Sequence, residues 1–83
     1  MPQATHQALF SVYPHEKPFR LFVIPIDEFY APDTPLKEFH EDFFTPEYAV
    51  MLEDYLRTQG WAVVSPWADE IEWRVTKLVA LNA

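Results

Sequence analysis

Thr45–Gly60, TPEYAVMLEDYLRTQG, is the stretch whose reading decides the fold. Thr45-Pro46 reads as a helix start. Threonine serves as the N-cap, and proline takes the first helical position, where its missing N–H is no loss. Glu47 follows near the positive end of the helix dipole. Tyr48, Met51, Leu52, Tyr55 and Leu56 then form one stripe at helical spacing. Glu53 and Arg57 stand four apart in the favourable order for an ion pair. Gly60 is the one glycine of the chain, and it falls where a helix wants a left-handed cap. The spacing predicts a helix over residues 46–59 with a single apolar stripe to bury.

The segments outside that helix read mostly as strands. Ala8–Tyr13 (ALFSVY) is a short β-type run. Phe19–Ile24 (FRLFVI) is apolar on both faces except for Arg20, as expected of a central strand. PHEKP between them has the length of a hairpin loop. Trp61–Ser65 (WAVVS) leaves the helix cap as a strand, and PWADE reads as a turn. Glu70–Thr76 alternates strictly, polar at even and apolar at odd positions, as a half-buried strand does. That alternation slips at Lys77-Leu78, which suggests a bulge or a strand end. A helix capped by Ser65-Pro66, with Ala68, Ile71, Val75, Leu78 and Val79 inward, competes for residues 67–81. The wealth of Trp, Val, Ile and Thr there favours the strand. Ahead of the main helix, Thr34-Pro35 repeats the start signal, and Leu36, Phe39, His40 and Phe43 follow at helical spacing. A short helix of about two turns is expected there.

The expected architecture is α+β. It is a two-layer sandwich in which an antiparallel sheet of about four strands, in the order β-β-α-β-β, carries the 46–59 helix on one face. Residues 1–7 are polar and expected to fray, leaving residues 8–83 as a single small domain.

Composition narrows the function classes. The chain has 83 residues, 49% of them apolar and 17% aromatic, too many for a disordered acidic tail. It has no cysteine, so disulfides, zinc–thiolate sites and thiol nucleophiles are excluded. A domain this small without disulfides points to a reducing cytosol, so a cytoplasmic location is expected. The opening MPQATHQA lacks the pattern of a signal peptide. No apolar run approaches the roughly 20 residues that span a bilayer.

Charge is the strongest functional signal. Between Asp27 and Asp54 lie nine carboxylates and one lysine, a local charge of −8 in a chain whose net charge is −7. Phe29, Tyr30, Phe39, Phe43, Phe44 and Tyr48 sit among those acids. Such a balance argues against phosphate backbones and anionic membrane surfaces as partners. It suits a basic protein surface, with the acids steering encounter and exposed rings anchoring it. The blander reading makes Phe39, Phe43 and Tyr48 core and the acids a solvated coat.

The remaining motifs point away from catalysis. His40-Glu41-Asp42 are consecutive, so on a helix they face different ways and do not chelate one ion. Asp69, Glu70 and Glu72 bracket Trp67 and Trp73 as glycosidase carboxylates can, but a domain this small rarely builds a substrate cleft. Ser11 and Ser65 lack a nucleophile elbow, and a chain with one glycine holds no glycine-rich phosphate loop. Trp61 is expected on the helix cap and Trp73 on the core face. Trp67, beside Pro66 in a turn, is expected to be the exposed tryptophan and a contact residue.

The sequence thus predicts a small, acidic, non-catalytic binding or regulatory protein, without cofactor or metal. Asp27, Glu28, Phe29, Tyr30, Asp33, Glu38, Glu41, Asp42 and Trp67 are its candidate contacts with a basic protein, and an inhibitor that mimics nucleic acid is the sharper form. The alternative is an assembly subunit that forms homodimers or larger oligomers through its sheet edges. A small enzyme built on Asp69, Glu70 and Glu72 is the remainder.

Overall fold

Two neighbouring apolar runs pair as anticipated in a computed structural model, which describes residues 3–11, 17–28, 32–40, 48–70 and 73–81. Strand β1 (His6–Ser11) lies antiparallel to β2 (Phe19–Pro25), with Ala8 opposite Val23 and Phe10 opposite Leu21. β1 starts two residues before Ala8, because Gln7 is also buried. The other elements are β3 (Lys37–Phe39), α1 (Tyr48–Thr58), β4 (Trp61–Val63), β5 (Ala68–Glu70) and β6 (Trp73–Ala80). The sheet is antiparallel, with strand order β3-β2-β1-β6-β4, and β5 pairs with β6 on the same side as β4. Among the described residues the result is a small α+β fold: one helix and a curled sheet of six strands, where about four were expected.

The extra strands come from two segments that read differently in the sequence. Lys37–Phe39 is a strand instead of part of a helix. Lys37, Glu38 and Phe39 pair with Leu21, Arg20 and Phe19, and Leu36 N–H donates to the Leu21 carbonyl at 2.8 Å. Phe39 meets the core as part of a strand, its ring edge-on to Phe10 at 6.1 Å and to Tyr55 at 5.9 Å. A free sheet edge supplied ladder hydrogen bonds that outweighed a weak two-turn periodicity. Phe43 lies outside the described residues.

The second segment is PWADE. Ala68–Glu70 is strand β5, with Glu70 opposite Trp73. The strict alternation of Glu70–Thr76 is therefore shared between two antiparallel strands. β6 runs through Lys77-Leu78 unbroken, in register with β1 from Ser11↔Trp73 to His6↔Leu78. The bulge lies opposite. Between the pairs Val63↔Leu78 and Ala68↔Val75, residues 64–67 face only Thr76 and Lys77. Ser65 fills this bulge. Its carbonyl accepts from Thr76 Oγ1 at 2.6 Å, and its hydroxyl accepts from Lys77 N–H at 3.0 Å. The slip in the pattern has a simple cause: β6 buries opposite faces at its two ends.

Both faces of the sheet are apolar. Ala8, Phe10, Phe19, Leu21, Phe39 and Leu78 pack with Leu52 and Leu56 of α1 in one cluster. Leu9, Phe22, Ile24 and Val75 form a second cluster on the opposite face, with Trp73 edge-on to Phe22 at 5.8 Å.

α1 departs from its expected face in two ways. Leu52 and Leu56 are fully buried, but Met51 is 44% exposed and stays out of the stripe. Arg57 turns to Asp54 at 3.1 Å, while Glu53 accepts a hydrogen bond from the Trp67 indole at 3.0 Å. Glu53 is thus committed to the sheet and not to Arg57. Gly60 caps the helix at φ +90°, as its position required. Thr45, Pro46 and Glu47 lie outside the described residues.

Candidate functional site

The acids that follow β2 are positioned by its end. Pro25 closes the strand, and Glu28 N–H donates back to the Pro25 carbonyl at 3.1 Å, which forms a turn at Ile26-Asp27. Ile26 N–H donates to Thr5 at 3.1 Å. Buried Gln7 fixes the far side of the turn, its Nε2 donating to the Glu28 carbonyl at 2.9 Å. With its backbone held at three points, the turn leaves the Asp27 and Glu28 side chains in solvent. Asp33 is exposed in the connection to β3. Glu38 is exposed on β3 and pairs with Arg20 at 3.6 Å.

These carboxylates do not gather at one point. Glu38 stands opposite Arg20, and the five residues of strand from Arg20 to Pro25, on the order of 17 Å at strand rise, separate it from the turn that carries Asp27. Asp27 and Glu28 therefore form one acidic corner, and Glu38 marks the other end of the same sheet margin. Phe29, Tyr30, Glu41 and Asp42 lie outside the described residues. Trp67 is half-buried. Its ring meets Tyr48 edge-on at 6.2 Å, and its indole N–H is held by Glu53. The expected exposed tryptophan is thus drawn against the helix, because the bulge at Ser65 turns the chain back onto the core.

Charge pairing is unequal. The three arginines are all engaged: Arg20 with Glu38, Arg57 with Asp54, and Arg74 with Asp69 at 3.4 Å. The Arg74 guanidinium also lies over the Tyr48 ring at 4.1 Å. Lys37 sits over the rings of Tyr55 and Phe39 at 5.7 and 5.9 Å. Among the described residues, Asp27, Glu28, Asp33 and Glu70 make no ion pair. The folded chain thus spends most of its positive charge on its own rings and carboxylates and leaves these acids uncompensated.

A feature the sequence did not announce lies beside the acidic corner. Gln3, Ile26, Asp27, Val64 and Lys77 line a half-open groove of about 680 Å³. Asp69 and Glu70 are exposed strand residues, and Glu72 lies outside the described residues. Among the described residues, no group of three histidine or carboxylate side chains is placed to hold a metal ion. No described helix is long and apolar enough to cross a membrane.

Fold and surface together define a small acidic α+β domain with an uncompensated acidic corner. No protein-family model matches the chain, and comparison with curated proteins and with solved structures gave no match.

Proposed function

We propose that this chain is a small, non-catalytic binding or regulatory protein that docks through the acidic segment after β2 onto a basic protein surface. One observation carries the reading. Asp27, Glu28 and Asp33 are exposed and unpaired, whereas every arginine is neutralised within the fold. The unpaired carboxylates of Asp27 and Glu28 stand on a hydrogen-bonded turn and give a negative potential of fixed position, which speeds encounter with a basic partner and orients it. Occupation of a nucleic-acid channel, with the carboxylates in place of phosphates, is the sharper form of the same chemistry.

The test compares two baits in native lysate, wild type and D27N/E28Q/D33N. All three positions are exposed, so the variant is expected to keep its circular dichroism spectrum and melting temperature. The wild type is expected to retain a basic protein at low salt and release it at high salt, and the variant to retain none. Equal capture by both baits would refute the reading.

A further inference from the structure

The groove beside the acidic corner is built from parts that are fixed and parts that are free. Its walls are fixed by backbone hydrogen bonds. Thr5 N–H donates to the Leu78 carbonyl at 3.0 Å, Ile26 N–H to Thr5 at 3.1 Å, and Val64 N–H to Lys77 at 2.9 Å. The Ser65 hydroxyl, bonded to Lys77 N–H and Thr76, pins the bulge that forms one side. The free parts are its side chains. Val64 remains 41% exposed although it is a β-branched residue, and Ile26 is half-buried beside it. Asp27 and Lys77 are exposed and carry opposite charges, yet among the described residues they pair neither with each other nor with any other group.

The sheet itself keeps those two charges apart. Lys77 is on β6 opposite Gln7, whereas Asp27 lies beyond the end of β2, with β1 between them. Two strand spacings and about three residues of stagger put their Cα atoms on the order of 14 Å apart. An anion and a cation held across an apolar floor complement a molecule with a cationic end, an anionic end and an apolar body between them.

We propose that this groove binds a short zwitterionic peptide with apolar side chains. The peptide ammonium meets Asp27, the terminal carboxylate meets Lys77, and the apolar body lies on Ile26 and Val64. This inference does not rest on the docking reading. Asp27 serves both surfaces, but Lys77 belongs to the groove alone, and Glu28 and Asp33 belong to the docking surface alone.

The experiment is an amide NMR titration of the 83-residue chain with the dipeptide Leu-Leu, up to about 20 mM as the weak affinity of so small a ligand requires. Shifts centred on Ile26, Asp27, Val64 and Lys77 are expected. K77Q and D27N should each weaken binding about 2- to 5-fold, the scale of a partly exposed ion pair. N-acetyl-Leu-Leu should bind wild type and D27N alike, since it lacks the ammonium that Asp27 would hold. No saturable shift, shifts centred elsewhere, or equal affinity for Leu-Leu and its doubly blocked N-acetyl amide would overturn the proposal. E28Q/D33N should leave the titration unchanged, and a loss of binding in that variant would also overturn it.

Discussion

Leu56→Ala and Met51→Ala form a pair that tests which face of α1 holds the fold together. Leu56 is fully buried against the sheet, and Met51, five residues earlier, is 44% exposed. Truncating a leucine in such a site costs about 2–5 kcal/mol through lost burial and the cavity left behind. A chain of 83 residues has a stability of roughly 4–12 kcal/mol on the usual per-residue scale. Leu56→Ala therefore removes a large share of it. At about 4–8 °C per kcal/mol for a domain of this size, the melting temperature should fall by at least about 8 °C. Met51 has little more than half of its surface covered, so its truncation loses at most about 1–1.5 kcal/mol of burial. Alanine's better helix propensity returns a few tenths of that. The assay is urea unfolding followed by far-UV circular dichroism, with both variants fitted at a common slope. Equal losses for the two, or a larger loss for Met51→Ala, would refute the packing described for α1.

Three further predictions follow from the same geometry. Thr76→Val keeps the shape of a residue 1% exposed but strips Ser65 of its donor at 2.6 Å, so a loss of about 1–3 kcal/mol is expected in thermal unfolding. Trp67→Phe retains the ring against Tyr48 and removes the hydrogen bond to Glu53. It should cost about 1–2 kcal/mol, and a double-mutant cycle with Glu53→Ala, which removes the acceptor, should show the two effects to be coupled. Gly60→Ala meets no steric neighbour, so its cost should be the conformational penalty of a positive φ alone, about 1 kcal/mol by chemical denaturation.

The parts of the fold that could be read in the sequence were those where one physical signal dominated. Gly60 closes the helix because a single glycine after a long amphipathic stripe has few other uses. β1 and β2 pair because two apolar runs flank a short proline-bounded loop. Where signals competed, tertiary context decided. Leu36, Phe39 and His40 carried helical spacing, but the open edge of β2 offered backbone partners to Lys37–Phe39 that a two-turn helix could not match. Met51 fitted the stripe by number, yet it stays 44% exposed while Leu52, Leu56 and the two tyrosines pack against the sheet. The alternation from Glu70 to Thr76 was real, but periodicity carries no mark of where one strand ends and its antiparallel neighbour begins.

The candidate surface was legible to a lesser degree. Composition located the acids, and the structure adds which of them lack partners. That distinction depends on where Arg20, Arg57 and Arg74 fall after folding. The groove at Asp27 and Lys77 joins residues fifty positions apart in the chain, brought together by register across β1. No local pattern encodes such a juxtaposition.

The central claim is that Asp27, Glu28 and Asp33 drive association with a basic partner. The direct measurement is the salt dependence of the association rate constant, for wild type and for D27N/E28Q/D33N, against the basic protein that the wild-type bait retains. The account predicts a wild-type rate constant that falls steeply between low and physiological ionic strength, as the screening length shortens toward about 8 Å. It predicts a slow, nearly salt-independent rate for the variant. Parallel salt dependences for the two proteins, or a variant that associates as fast as wild type, would contradict it.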